Sequence, residues 1–142
     1  EAEKIYEAIR LPKRATAGSA SYDFFAPAEF TLKPSETVKI PTGIRVEMQP
    51  EWVLKCYPRS GLGFKYRLQL NNTVGIIDSD YFYSDNEGHI FSKITNDSNE
   101  NKTLTIPADT GFMQGIFVEY GITVDDDATE IRNGGFGSTT AK

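Results

Sequence analysis

The run Val74-Gly75-Ile76-Ile77-Asp78-Ser79-Asp80-Tyr81 holds the residues whose types and spacing could do chemistry. It opens as an apolar strand with a glycine inside it, then presents two acids and an aromatic. An interior strand glycine costs entropy and supplies no side chain, so it marks a bulge or a close approach by a ligand or another backbone. Asp78 follows Ile76 and Ile77, both β-branched. A rigid strand can hold a carboxylate there while it reaches a cleft. A strand ending in an acidic turn is the plainer reading of the same eight residues, and other parts of the chain must decide.

Three further stretches bear on that choice. Pro58-Arg59-Ser60-Gly61-Leu62-Gly63 is either a tight turn or a nest of backbone N–H groups, with Arg59 and Ser60 donating to an anion. It lacks the G-x-x-x-x-G-K-[ST] spacing of a Walker loop. Ala17-Gly18-Ser19-Ala20-Ser21-Tyr22-Asp23 ends a small-residue run in another carboxylate. From Arg132 to Thr140 the chain is too rich in glycine to pack as a strand. It is either a frayed tail or an arm that orders over a ligand, with Arg132 forking onto phosphate and Phe136 covering a flat ring.

The elements that must position these residues are short. Alternating or apolar runs recur at 5–9, 37–40, 44–48, 52–57, 68–70, 74–77, 90–94, 104–106 and 113–118. Turn formers separate most of them. Ile44, Val46 and Met48 alternate with Arg45 and Glu47, the period of a half-buried strand. No window sustains helical periodicity over three turns, so long helices are not expected. The pattern predicts an all-β sandwich, jelly roll or barrel. Residues 1–124 are expected to form one β domain, followed by a linker and arm at 125–142.

The 142 residues suit a single domain that buries roughly two-thirds of its unfolded surface. A net charge of −5 leaves no basic footprint for nucleic acid. An anionic ligand would need a local cluster of donors working against the mean field. One cysteine and one histidine exclude an intrachain disulfide and a zinc site built on those ligands. With no membrane-length apolar run and no visible secretory signal, a reducing, cytoplasmic setting is expected. His89 reads as a surface residue, Cys56 as core rather than nucleophile, and Trp52 as packing or interface. Asp80 either supports Asp78 or bonds the turn.

Together the motifs resemble the deoxyuridine triphosphatase (dUTPase) family, the homotrimeric all-β kind. Five motifs occur in order: AGSASYDF at 17–24, PRSGLG at 58–63, NTVGIIDSDY at 72–81, GFMQGIFV at 111–118 and RNGGFGST at 132–139. The resemblance implies a jelly-roll-like, distorted β-barrel with a flexible glycine-rich arm. It implies that Asp78 deprotonates the water attacking the α-phosphate of dUTP, giving dUMP and pyrophosphate. Asn72 and the backbone of Gly75, Ile76, Ile77 and Asp78 would read the uracil, with Phe91 completing the wall. Tyr81 would pack on the deoxyribose and reject UTP. Arg59, Ser60, Gly61 and Gln114 would bind phosphates, and Mg²⁺ would ride on the triphosphate, with Asp23 reaching it through water or shaping the site. Arg132, Phe136, Gly137 and Ser138 would close over the site of a neighbouring subunit in a homotrimer.

The chain departs from the family's usual pattern in four places. Motif four reads Gly111-Phe112-Met113-Gln114 where Arg-Ile-Ala-Gln is common, and Phe82 to Glu87 intervene before Gly88. The arm is about one residue shorter between Arg132 and Phe136, and Ser21 stands where a glycine is common. Two alternatives remain. One is dCTP deamination on the same scaffold, although Ile76 stands where the deaminase pattern has an arginine. The other is a non-catalytic β module that binds a protein.

Overall fold

The computed structural model describes residues 1–134, and these are predominantly β. Nine strands run β1 (Tyr22–Phe25), β2 (Phe30–Leu32), β3 (Thr37–Pro41), β4 (Trp52–Pro58), β5 (Leu68–Leu70), β6 (Gly75–Ile77), β7 (Phe91–Asn96), β8 (Leu104–Ile106) and β9 (Gly111–Glu119). They form three antiparallel sheets in the orders β1-β9-β4-β6, β3-β7-β5 and β2-β8. The sheets wrap one core without closing into a barrel. Phe112, Leu68, Ile90, Ile94, Leu104 and Met113 lie at its centre.

The alternation in the sequence becomes the two faces of each strand. In β7, Ser92, Ile94 and Asn96 are buried while Lys93 is exposed. Asn96 is wholly buried, and its amide donates to the carbonyls of Leu32 (2.8 Å) and Lys102 (2.9 Å). Its Oδ1 accepts from the Ser98 N–H at 2.9 Å. One satisfied amide thus ties β7 to the β2 and β8 edge, a buried polar group that stabilises because none of its capacity is orphaned.

Four local expectations are corrected or extended. The run at 5–9 is not a strand: Ala2–Ala8 is a helix, α1, with Ile5 and Tyr6 exposed. Ala, Glu and Lys dominate it, and their helix propensity outweighs two apolar residues that have nothing to pack on. Residues 44–48 keep the expected alternation of burial but join no ladder. Arg45 there stacks over the Phe82 ring at 3.6 Å and donates to the Phe82 carbonyl, tying the segment to the insertion instead. After Pro58 the chain turns into a short helix, α2 (Ser60–Tyr66), which ends where Arg67 turns left-handed at φ 50°. The strands β1 and β2, too short to stand out as runs, complete the edges.

Candidate active site

Gly75 pairs with Cys56 on β4, and a Cβ there would lie 3.2 Å from the Cys56 Cβ. The missing side chain therefore lets β6 close on β4 and clears space in front of it. That space is a cavity of about 390 Å³, within the range of small-molecule pockets. Asn72, Gly75, Ile77 and Phe91, four of the residues expected at a base slot, all line it. Phe91 arrives there in spite of the insertion at 82–87, because β7 is held in register by β3 and β5. Ile76 points to the opposite face and is half exposed, so its side chain takes no part in the cavity.

Tyr81 lies buried behind the strand end. Its hydroxyl donates to the His89 carbonyl and accepts from the Asn86 amide at 2.9 Å. His89, read from sequence as a surface residue without a role, sits behind Phe91 with ring centroids 4.4 Å apart. Its Nε2 accepts the Gly43 N–H at 3.0 Å, and burial holds its pKa below the ordinary value. Nothing in a lone histidine after a turn glycine signals that prop. Cys56 behaves as expected: burial pushes its thiol up to about 12, far from a nucleophile's range.

Asp78 follows β6 and precedes a 3-10 turn, Ser79–Tyr83. Its carboxylate opens onto the other side of β6, in a hollow of about 600 Å³ shared with Lys55, Ile76, Asp80 and Arg132. Arg132 forks across both acids: one nitrogen reaches Asp78 Oδ2 at 2.7 Å and another reaches Asp80 Oδ1 at 2.7 Å. The arm's root is further held by the Asp85 N–H, which donates to the Asn133 carbonyl at 2.7 Å. Asp80 therefore acts on the arm's root. Within the chain Arg132 meets its own Asp78, whereas the resemblance places it over a neighbouring subunit. Phe136, Gly137 and Ser138 lie outside the described residues.

The remaining site residues gather elsewhere. Asp23 and Gln114 are paired across β1 and β9, and Gln114 also stands opposite Tyr57 on β4. Ser21 Oγ donates to Gln114 Oε1 at 2.7 Å, and Gln114 Nε2 donates to the Pro58 carbonyl at 2.9 Å. Ser21, a departure in motif one, thus orients the surviving glutamine of motif four. Arg59 Nε faces Asp23 Oδ1 at 3.5 Å, with Ser60 and Gly61 exposed beside it at the start of α2. In register, Leu54 faces Ile77, while Arg59 follows the other end of β4. At 3.3–3.4 Å per residue, Leu54 beside Ile77 and Pro58 before Arg59 lie about 13 Å apart along β4.

The dUTPase family model matches residues 7–140. The chain belongs to the dUTPase family. It is 40% identical over 136 residues to the deoxyuridine 5'-triphosphate nucleotidohydrolase of Lactococcus lactis, covering 94% of this chain and 89% of that one. An enzyme of the same name from Escherichia coli O45:K1 is 37% identical over 142 residues, with the same two coverages. The crystal structure of dUTPase from Streptococcus mutans superposes with a TM-score of 0.71 at 36% identity, covering 82% of this chain and 90% of that chain. The dUTPase of phage phi11 of S. aureus, at 23% identity, shares the fold with a TM-score of 0.69 over 88% of this chain and 92% of its own. Among the described residues no helix of this dUTPase-family chain is long and apolar enough to cross a membrane.

Proposed function

We propose that the protein hydrolyses dUTP to dUMP and pyrophosphate, removing a uracil nucleotide from the DNA precursor pool and supplying dUMP. The observation that carries the reading is the base-sized cavity beside Gly75 on β6, with Asp78 following the end of that strand, in a chain of this family. The base enters the cavity against Asn72, Gly75, Ile77 and Phe91, and the deoxyribose lies toward Tyr81. A ribose would bring a 2′-hydroxyl against that wall. The Tyr81 hydroxyl already donates its one proton to the His89 carbonyl and accepts from the Asn86 amide, so it has no proton to offer a 2′-hydroxyl.

Asp78 takes a proton from a water molecule as that water's oxygen bonds to the α-phosphorus. The bond from phosphorus to the α,β-bridging oxygen breaks, and pyrophosphate leaves. A strand-held carboxylate supplies both basicity and orientation, together worth several orders of magnitude in rate. Arg132 moves from Asp78 to the γ-phosphate when the nucleotide arrives, which frees the base and closes the arm. Phe136, Gly137 and Ser138 then cover the nucleotide. Arg59, Ser60, Gly61 and Gln114 take the phosphates.

The separation of Asp78 from the phosphate donors along β4 supports a site shared between subunits. Within one chain Asp78 lies toward the Leu54 end of β4 and the donors follow its other end, so a homotrimer with three composite sites would bring one chain's carboxylate to another's donors. Converging donors from several chains also offset the −5 charge of each. For Mg²⁺, the donor set fits an ion carried on the substrate. Among the described residues no group of three or more His, Cys, Asp and Glu could hold a metal ion. Asp23, held near Arg59, would touch its hydration shell. Bound there, the ion would neutralise charge on the triphosphate oxygens.

The test is pyrophosphate release from dUTP, UTP, dCTP and dTTP, with ammonia assayed on dCTP. Turnover of dUTP alone is expected. Ammonia from dCTP, or no turnover of any of the four, would overturn the reading.

A further inference from the structure

We propose that Gly111 is a positioning residue for phosphate recognition, its bare α-carbon being the seat on which the Arg59 guanidinium rests. The proposal deepens the phosphate-binding role given to Arg59 above and rests on it. A Cβ at position 111 would lie 2.8 Å from Arg59 Nη1, 3.3 Å from its Cδ and 3.4 Å from its Cζ. The guanidinium therefore occupies the volume that any side chain at 111 would fill. Nη1 also donates to the Gly111 carbonyl at 3.3 Å, while Nε faces Asp23. The arginine is held from below by backbone and from the side by a carboxylate, with its side chain still 43% exposed toward solvent.

This arrangement has a physical consequence. An arginine already docked against a backbone carbonyl and a carboxylate loses less freedom on meeting a phosphate, so more of the interaction appears as affinity. Position 111 is where motif four departs from Arg-Ile-Ala-Gln. A second long side chain at that point would displace Arg59 from its seat. The departure and the placement of Arg59 are thus one feature of the site, since the side chain absent at 111 is replaced in space by one from 59. Gly111 opens β9 opposite Phe25, at the register shift of β1, where the backbone is free to carry it. Its φ lies outside the left-handed region, so alanine is compatible with the backbone. What an added methyl meets is the far end of a flexible side chain, so Arg59 moves while the strand stays.

The experiment compares wild type, Gly111→Ala, Arg59→Ala and the double variant by steady-state dUTP hydrolysis and by product inhibition with pyrophosphate. Gly111→Ala is expected to raise KM for dUTP and the pyrophosphate inhibition constant about tenfold, with kcat changed less than about threefold. The double variant should match Arg59→Ala, because the glycine acts through the arginine. A structural role alone would lower Tm and would not vanish in the Arg59→Ala background. A readout independent of stability is the Arg59 Nε–H resonance, expected to shift in Gly111→Ala at a temperature where the variant is folded. If Arg59→Ala weakens phosphate binding while Gly111→Ala does not, or the two effects add, the seat is overturned alone. If Arg59→Ala is itself silent, the phosphate role of Arg59 falls and the seat falls with it.

Discussion

The Arg132 guanidinium bridges Asp78 and Asp80, contacting each carboxylate at 2.7 Å, with the arginine side chain only 12% exposed. A forked cation that satisfies two acids at once is a defined docked state of the arm's root. Lysine cannot reproduce the fork. Arg132→Lys is expected to lower kcat/KM for dUTP by about tenfold or more, with oligomeric state unchanged by sedimentation. An unchanged kcat/KM would remove the arginine from the reaction.

Asp78 and Asp80 share that arginine but differ in what they do next. Asp78→Asn keeps the shape and loses the base, so kcat should fall by about 10²–10⁴ while binding of a non-hydrolysable dUTP analogue stays within about threefold. Asp80→Asn, which only loosens the arm, should cost less than a tenth as much in kcat. Equal losses in the two variants would contradict the assignment of the base.

Gly75→Ala tests the close approach of β6 to β4. The added methyl would lie 3.2 Å from the Cys56 Cβ, a contact that forces a shift between paired strands. A loss of about 1–3 kcal/mol in denaturant unfolding is expected, together with a raised KM. Unaltered stability and KM would show that the strands have room to spare.

Ser92 is buried at 3% exposure, and its Oγ has no hydrogen-bond partner among the described residues. An orphaned hydroxyl costs folding free energy rather than adding to it. Ser92→Ala should leave stability unchanged or raise it by about 1 kcal/mol. A clear loss in urea unfolding would reveal a partner for the hydroxyl.

His89 gives the fold a pH dependence. Burial depresses its folded pKa below the unfolded value, so below about pH 6.5 the unfolded state binds the proton more readily. The stability it contributes is complete above that pH and is lost as pH falls through the folded pKa. His89→Phe, which keeps a ring beside Phe91 but cannot titrate, should flatten the unfolding midpoint just below pH 6.5. An identical slope in wild type and variant would assign the dependence to other groups.

What the sequence determined by itself was the set of local preferences. Short alternating or apolar runs located β3, β4 and β7, turn residues separated most of the strands, and the ordered motifs pointed to Asn72, Gly75, Ile77 and Phe91, which line one cavity. These depend on neighbours within a few residues, so they can be read along the chain. Residues 5–9 and 44–48 eluded it because a run forms a strand only when a partner edge lies beside it, and that is decided across the whole molecule. The same holds for the support of the site. His89 on Gly43, Ser21 on Gln114, and Arg59 over Gly111 join residues 46, 93 and 52 positions apart. Such contacts exist because antiparallel strands carry distant residues into register, and only the folded chain brings them together.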